Sequence, residues 1–344
     1  MQTWAKRGLQ TALVTGGLLM LGTGIASAQE NVNPDAKPNP LDAKVRVPVD
    51  VDHNNLGTLV GNHDLPSIHH EIGTPGAADL PVRDIAVPAN PLVRTAQERA
   101  AGVEAAGLTR GNTADADVVV PVSVCGNAIA ATGNAFTDGT CVQSASSTGE
   151  IRTDGSRGTL AGNVAHGAAA VSPQVNGNAV AALANAESRA TSHQRAVAGD
   201  RVRTSGEDGS LSGNIAAVQG AVPAQVTNNA VAAGGNSYSA ARSSNDALAN
   251  GSLSTTGERG TGGGNVLGAP VAPVVAVTGN GVAAAGNADT ATENRASADA
   301  GTTQRDRTDL PMWSSTSGND GTLAGNVVQP ALAGPVAALS LIHI

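Results

Sequence analysis

The sequence predicts a mainly β fold made of short, hairpin-forming repeats of 51 residues, with much disorder between them and one short N-terminal helix. Columns of identical residues lie 51 positions apart, and a constant period indicates tandem units. Gly-Asn pairs punctuate the units, and valine and alanine fill the segments between the pairs. The columns are Val124, Val175, Val226 and Val277; Asn134, Asn185, Asn236 and Asn287; and Asn112, Asn163, Asn214 and Asn265.

Residues 1–28 have the organisation of a secretory signal peptide. Lys6 and Arg7 form the basic n-region, residues 11–21 form the apolar segment, and small residues precede a cleavage position after Ala28. The apolar segment is shorter than the roughly 20 residues that span a bilayer. We therefore expect a secreted chain that is extracellular or associated with the cell wall.

The composition argues against a conventional globular enzyme. The chain has 20 Lys and Arg against 28 Asp and Glu, a net charge of −8, which repels nucleic acid. Only 1% of the residues are aromatic, although aromatic side chains supply much of the area that a compact core buries. Small repeated units, partial disorder and assembly between chains fit this composition better than one packed domain.

The region before the repeats divides into two parts. Residues 29–94 are rich in proline and predict an extended, mostly flexible linker. Within it, residues 57–62 resemble the segment that ends at Asn112, which suggests a decayed first unit. Residues 95–107 predict a short helix, with Thr95 and Glu98 as a capping-box pair.

The repeats show strand periodicity and turn signals. Alternate valines at 120, 122 and 124 indicate a strand, and a Gly-Asn pair between two such segments suits a two-residue hairpin turn. Residues 181–190 fit a helix on propensity alone, and a β-solenoid is a further option, although solenoid periods are usually shorter. The predicted turn residues are Gly126, Asn127, Gly177, Asn178, Asn228, Asn229, Gly279 and Asn280. The predicted units are 108–157, 158–208, 209–259, 260–320 (with a charged linker) and an incomplete fifth at 321–344.

Charged residues are confined to certain parts of each unit. Residues 160–185, 211–236 and 262–287 contain no Asp, Glu, Lys or Arg, whereas the stretches between them contain many. Uncharged β-prone segments flanked by charges are typical of assembly segments separated by solvating gatekeepers.

Cys125 and Cys141 both lie in the first repeat, and we predict that they form a disulfide. An exported chain meets an oxidising environment, in which disulfides persist. The equivalent positions in the next repeat are Asn176 and Ser192, so both cysteines are replaced together. Joint replacement is expected if each cysteine is useful only to the other.

The first repeat resembles the chaplins, a family of secreted surface-active proteins of filamentous actinobacteria. The resemblance lies in the order GTLAGNV or GSLSGNI, Val-Pro-Val, 124–127 (VCGN), 133–136 (GNAF) and the closing Cys141. It implies a small β-rich domain, the Cys125–Cys141 disulfide, and self-assembly into amyloid-like fibrils that lower surface tension. The chain would then be a repeat-containing relative of that family.

No catalytic residue, cofactor site or metal site is predicted. The sequence has no G-x-S-x-G elbow, P-loop or H-E-x-x-H motif. Residues 50–54 have the Asp-x-Asp-x-Asn spacing of a calcium loop but lack its glycine and distal glutamate. His53, His63, His69 and His70 lack the spacing of a zinc site, and solvated histidines explain them better.

We therefore expect a structural protein of the cell surface that self-assembles through its Gly-Asn, valine and alanine repeats, as an amyloid-like, surface-active coat. Its expected partners are copies of itself, related surface proteins and the cell wall, with no nucleic acid and no small-molecule substrate. The alternative is a repeat adhesin or extracellular ligand-binding protein that acts as a monomer.

Overall fold

A computed structural model describes residues 41–73, 111–301, 314–339 and 342–343 of the chain. Every regular element in these ranges is a β-strand, so the mainly β prediction is confirmed. No helix in the described ranges is long and apolar enough to cross a bilayer. The predicted signal peptide with Ala28 and the predicted helix at 95–107 lie outside the described residues.

The strands follow one another in a regular long–short order along the chain. They are β1 Leu41–Asp52, β2 Asn55–Thr58, β3 Gly61–Asp64, β4 Ile68–Gly73, β5 Thr113–Val119, β6 Val122–Cys125, β7 Ala128–Ala130, β8 Ala135–Ser147, β9 Glu150–Arg152, β10 Val164–Asn176, β11 Ala179–Ala181, β12 Asn185–Ala198, β13 Arg201–Arg203, β14 Ile215–Thr227, β15 Ala230–Ala232, β16 Asn236–Asn250, β17 Leu253–Thr256, β18 Val266–Thr278, β19 Gly281–Ala283, β20 Asn287–Gly301, β21 Ser314–Ser317, β22 Val327–Val328, β23 Leu332–Leu339 and β24 Ile342–His343.

These strands form four sheets, each of which takes one strand, or a split strand, from successive repeats. Sheet I has the order β22-β18-β14-β10-β5-β1-β4. In addition, β6 follows β5 between β1 and β10, and β23 follows β22 along β18. Sheet II has the order β24-β19-β15-β11-β7-β2-β3, sheet III β20-β16-β12-β8 and sheet IV β21-β17-β13-β9. One repeat is therefore one coil of a parallel β-solenoid, and the coils stack in register.

The predicted hairpins at the Gly-Asn pairs are wrong. The strands on either side of Gly126-Asn127 are β6 and β7, which belong to different sheets and pair in parallel with β10 and β11 of the next repeat. In-register stacking places each strand beside the equivalent segment of the next repeat, which has the same size and polarity. Pairing between repeats is therefore favoured over pairing within one. The architecture is the solenoid that the sequence left as an alternative, and residues 185–190 are strand rather than helix.

Residues 41–73, predicted as an extended and mostly flexible linker, form a partial coil at the start of the stack. β1 and β2 pair in parallel with the first repeat, with Val49 beside Val122 and Asn55 beside Ala128. β4 and β3 then cover β1 and β2 in antiparallel orientation. The stack therefore begins with a partial coil, but residues 57–62 are not the counterpart of the segment that ends at Asn112, because Gly57 pairs with Ala130.

The C-terminal strands add a further layer. Val266 pairs with Val327, so the offset between the fourth and fifth units is longer than the regular repeat period. β23 continues along β18, and β24 pairs with β19. The longer offset follows from the extra residues between β20 and β21.

The core between sheets I and III is thin and is filled by small side chains. One buried cluster consists of Val119 and alanines only: Ala145, Ala168, Ala170, Ala196, Ala198, Ala221, Ala247 and Ala249. Buried amides continue the packing, since Gln194 Nε2 donates to Gln143 Oε1 at 2.8 Å and to the carbonyl of Pro121 at 2.7 Å. Alanine allows the two sheets to approach closely, which explains why the chain needs almost no aromatic residues.

Candidate functional site

The outer face of sheet I is entirely apolar over four successive coils. Side chains alternate between the core and solvent along each strand, and those that point outward are Ala, Gly, Val, Leu or Pro. On β14 they include Val218, which is 60% exposed, and on β18 they include Leu267, which is 57% exposed. We call this surface the apolar face. It comprises the outward residues of β5, β6, β10, β14 and β18, together with Val120.

Sheet II extends the apolar face around the corner of the solenoid. Its central outward positions carry a column of exposed Ile129, Val180, Val231 and Val282. The strands of sheet I are 13 residues long in three coils, so the face is roughly 43 Å long at about 3.3 Å per residue. Four coils spaced by about 4.8 Å give the sheet I part of this face an area on the order of 800 Å². This area exceeds the largest apolar patch of a typical monomer.

The opposite wall of the solenoid is charged. The outward positions of sheet III include Arg189 on β12, Arg242 on β16 and Glu293 on β20. Stacking brings opposite charges together, as in the 3.0 Å contact between Arg242 Nε and Glu293 Oε2. Part of the charged stretches predicted to act as solvating gatekeepers therefore forms the outer side of sheet III, and Glu150 and Arg201 lie on the short strands of sheet IV.

The predicted turn residues lie at the corner between sheets I and II. The first residue of each pair (Gly126, Gly177, Asn228 and Gly279) has a φ between 59° and 70°. Glycine is suited to this left-handed conformation. A Cβ at Gly126 would also lie 2.7 Å from the Cβ of Ala190, so the close approach of sheet III limits side-chain size here.

The second residues of these pairs form a hydrogen-bonded asparagine ladder. Each Nδ2 donates to the Oδ1 of the asparagine one coil earlier, at 2.8–2.9 Å. The same Oδ1 atom also accepts the backbone N–H of the asparagine one coil later. The ladder runs through Asn54, Asn127, Asn178, Asn229 and Asn280.

The other two asparagine columns seen in the sequence form ladders as well. One runs before sheet I through Asn112, Asn163, Asn214, Asn265 and Asn326. The other starts sheet III and runs through Asn134, Asn185, Asn236 and Asn287. Three corners of each coil are therefore joined to the next coil by side-chain amides.

The predicted disulfide between Cys125 and Cys141 is confirmed. It joins the end of β6 in sheet I to β8 in sheet III, with the two Cα atoms 6.5 Å apart. It therefore bridges the two long walls of the first complete coil. At the equivalent position in the second coil, Asn176 Oδ1 accepts the backbone N–H of Cys125 at 2.9 Å.

A cluster of buried charges, not predicted from the sequence, lies between the first and second coils. Lys44 Nζ is 3.4 Å from Asp200 Oδ2 and 3.8 Å from Asp117 Oδ1. His166 Nδ1 is 3.0 Å from Asp115 Oδ2. Burial, and then the hydrogen bond with Asp200, raise the pKa of Asp117 to about 8.

The sequence does carry a signal for this cluster. The register aligns Asp115 with His166 and then with Ala217, and it aligns Asp117 with Ala168. Charged residues thus stand at core positions where later coils have uncharged residues, among them Ala217 and Gln219. A charged residue in a column that is otherwise uncharged marks such a site, provided that the column is known to face inward.

Among the described residues, the carboxylates of the calcium-like segment and the histidines of β3 and β4 do not form one set of ligands. Asp50 Oδ1 lies 2.8 Å from His69 Nδ1, while Asp52 accepts the hydroxyl of Ser67. His53 lies near Cys125 and Cys141, which could be metal ligands only as free thiolates. The two cysteines are bonded to each other in a disulfide and offer no thiolate.

A family model described as ChpA-C matches residues 92–143, well under half of the chain. The described part of this range holds β5 to β7, most of β8 and both cysteines. The family that this finding supports is ChpA-C, and it replaces the chaplin resemblance drawn from the sequence. No curated protein and no solved structure matches the chain.

Proposed function

We propose that the chain is a secreted structural protein that self-assembles into a surface-active coat at the cell surface. The observation that carries the proposal is the separation of the apolar face from the charged outer wall of sheet III. A rigid body with two such faces is stabilised at a boundary between water and an apolar phase. Burial contributes roughly 25 cal/mol per Å², so even a few hundred Å² removed from water favours adsorption by several kcal/mol.

The proposed self-assembly is supported by free strand edges. Within the described ranges, β20 pairs only with β16 and β8 pairs only with β12, so sheet III ends in an unpaired edge on both sides. Unpaired edges are templates for further strands. Parallel, in-register stacking is also the geometry of cross-β assemblies. Copies of the chain, or related surface proteins, are the expected partners.

The adsorption proposal is tested by measuring surface tension with the purified chain. We expect the wild-type protein to lower the surface tension of water. Replacing Val218 and Leu267 by lysine places two charges on the apolar face, and most of this effect should be lost at equal concentration. Both positions point to solvent, so the β-sheet circular dichroism spectrum should be retained.

The matched control places two lysines on the opposite wall, at Thr191 and Ser244, which point outward from sheet III. This variant carries the same added charge and should lower surface tension as well as the wild type. Equal loss of activity in both variants would contradict adsorption through the apolar face.

A monomeric adhesin remains the second candidate, because sheet III presents a charged groove. The groove has a volume of about 540 Å³ and is lined by residues that include Asp138, Arg189, Arg242 and Glu293. Sedimentation velocity over a wide concentration range separates the two functions. Growth of large species with concentration supports the coat, whereas a monomer at every concentration supports the adhesin.

A further inference from the structure

We propose that Asp115, His166 and Asp200 bind a divalent transition-metal ion such as Zn²⁺ inside the solenoid. One ligand atom from each of these residues lies within 4.8 Å of the others. In a tetrahedral zinc site, bonds of about 2.1 Å place the ligand atoms roughly 3.4 Å apart. Side-chain movements of about an ångström therefore bring the three groups to coordination distance.

The three side chains are buried, and that of His166 has a polar atom without a hydrogen-bond partner. His166 and Asp200 are 0% exposed and Asp115 is 2% exposed. The Nε2 atom of His166 has no hydrogen-bond partner among the described residues. A buried polar atom without a partner costs about 1–3 kcal/mol. Coordination of an ion supplies the missing interaction.

The charge balance of the cluster also favours a divalent cation. Three carboxylates, those of Asp115, Asp117 and Asp200, face one ammonium group, that of Lys44, at 4.0, 3.8 and 3.4 Å. Acidic groups therefore outnumber basic groups around this space, which favours a cation. The side chain of Lys44 is 22% exposed, so its ammonium group can move towards solvent when the ion binds.

The ligand types select the class of metal and limit the site to one per chain. Imidazole with carboxylates suits Zn²⁺ and similar transition metals, whereas Ca²⁺ and Mg²⁺ prefer oxygen ligands alone. The third coil has Ala217 where the second has His166, and Gly149 and Gly251 stand one repeat before and after Asp200. The donor set therefore occurs only between the first two coils of the described repeats.

The proposal is tested with the full mature chain, treated with chelator and titrated with Zn²⁺ by calorimetry and thermal unfolding. We expect binding of one ion per chain and a rise in Tm. Asp200→Asn and His166→Gln should each weaken binding at least tenfold. The control His193→Gln removes an exposed histidine of β12 and should leave binding unchanged, as should the double variant His69→Gln, His70→Gln on β4.

Lys44→Met distinguishes a metal site from a purely ionic cluster. Removing the competing ammonium should tighten Zn²⁺ binding several-fold, while it lowers the Tm of the chelator-treated protein. Co²⁺ provides a spectroscopic readout, because imidazole coordination gives visible absorption bands that His166→Gln should alter. The absence of saturable binding to the wild type, or equal binding by folded His166→Gln and His193→Gln variants, would overturn the proposal.

Discussion

Asparagine joins one coil to the next because its amide offers a donor and an acceptor along the solenoid axis. Asn178 Nδ2 donates to Asn127 Oδ1 and to the carbonyl of Val226, and its own Oδ1 accepts from Asn229. An ionised aspartate has no donor and serine has a single O–H, so neither can make the two donations that Asn178 makes. The strict recurrence of asparagine, already visible in the sequence, thus has a hydrogen-bonding cause.

Asn178→Asp tests the ladder with an isosteric change. The carboxylate would face Asn127 Oδ1 without a donor and leave the carbonyl of Val226 without its side-chain partner. We expect a loss of about 1–3 kcal/mol in the free energy of unfolding, measured by chemical denaturation at neutral pH. The control Asn319→Asp lies in an exposed turn outside the ladders, and its effect should be much smaller.

The strained backbone positions of the corner loops were not predictable residue by residue. Leu160, Leu211 and Leu323 all have a φ between 52° and 55°. Glycine occupies the same column at Gly262, where φ is 63°. Leucine is unusual in this conformation, so propensity alone gives no reason to place it there, and only the shared loop geometry explains the column.

The loop elements that precede sheet I carry a column of alternating charge: Arg157, Asp208, Arg259 and Asp320. Arg259 contacts Asp208 through two hydrogen bonds, at 2.7 and 3.1 Å. Stacked coils lie about 4.8 Å apart, so like charges in one column would repel each other. Alternation of sign removes that repulsion, and the hydrogen bond from Arg259 lowers the pKa of Asp208.

Asp208→Lys would place three cations in succession in this column. We expect a lower urea midpoint at low ionic strength, with much of the difference recovered at high salt because the groups are exposed. The control Asp208→Asn removes the ion pair without adding repulsion, so its urea midpoint should fall between those of the wild type and Asp208→Lys.

Since the folded pKa of Asp208 is lowered, the stabilising contribution of Asp208 is present above about pH 4 and is lost as pH falls through the folded pKa.

At the scale of the whole molecule, the period of the sequence determined the spacing of the coils but not which strands pair. A valine column such as Val124, Val175 and Val226 fits repeated hairpins as well as stacked coils. The two strands that flank each Gly-Asn corner enter different sheets, and this rules out a hairpin. The direction in which the strands leave the corner depends on tertiary packing and is not encoded in the period. The offset of β1 from the first repeat does not match the repeat period, so its pairing left no periodic signal in the sequence. For that reason the buried cluster around Lys44 was missed.

A solenoid in which each coil contacts chiefly its neighbours should respond locally to a local change. Cys125 and Cys141 clamp the first complete coil, which is covered on one side by the partial coil of β1 and β2. Cys125→Thr with Cys141→Ser introduces the residues that the third coil has at these positions, Thr227 and Ser243. Opening a loop of this length removes a stabilisation of about 3 kcal/mol.

Hydrogen exchange measured by mass spectrometry should show faster exchange in β5 to β8, a smaller increase in β10 to β12 and almost none in β16 to β18. Treating the wild-type chain with a reductant should reproduce this gradient, while the reductant should leave the variant unchanged. A uniform increase in exchange along the chain would mean that the coils unfold as one cooperative unit. The disulfide would then stabilise the entire stack, and the nearest-neighbour description of the solenoid would be wrong.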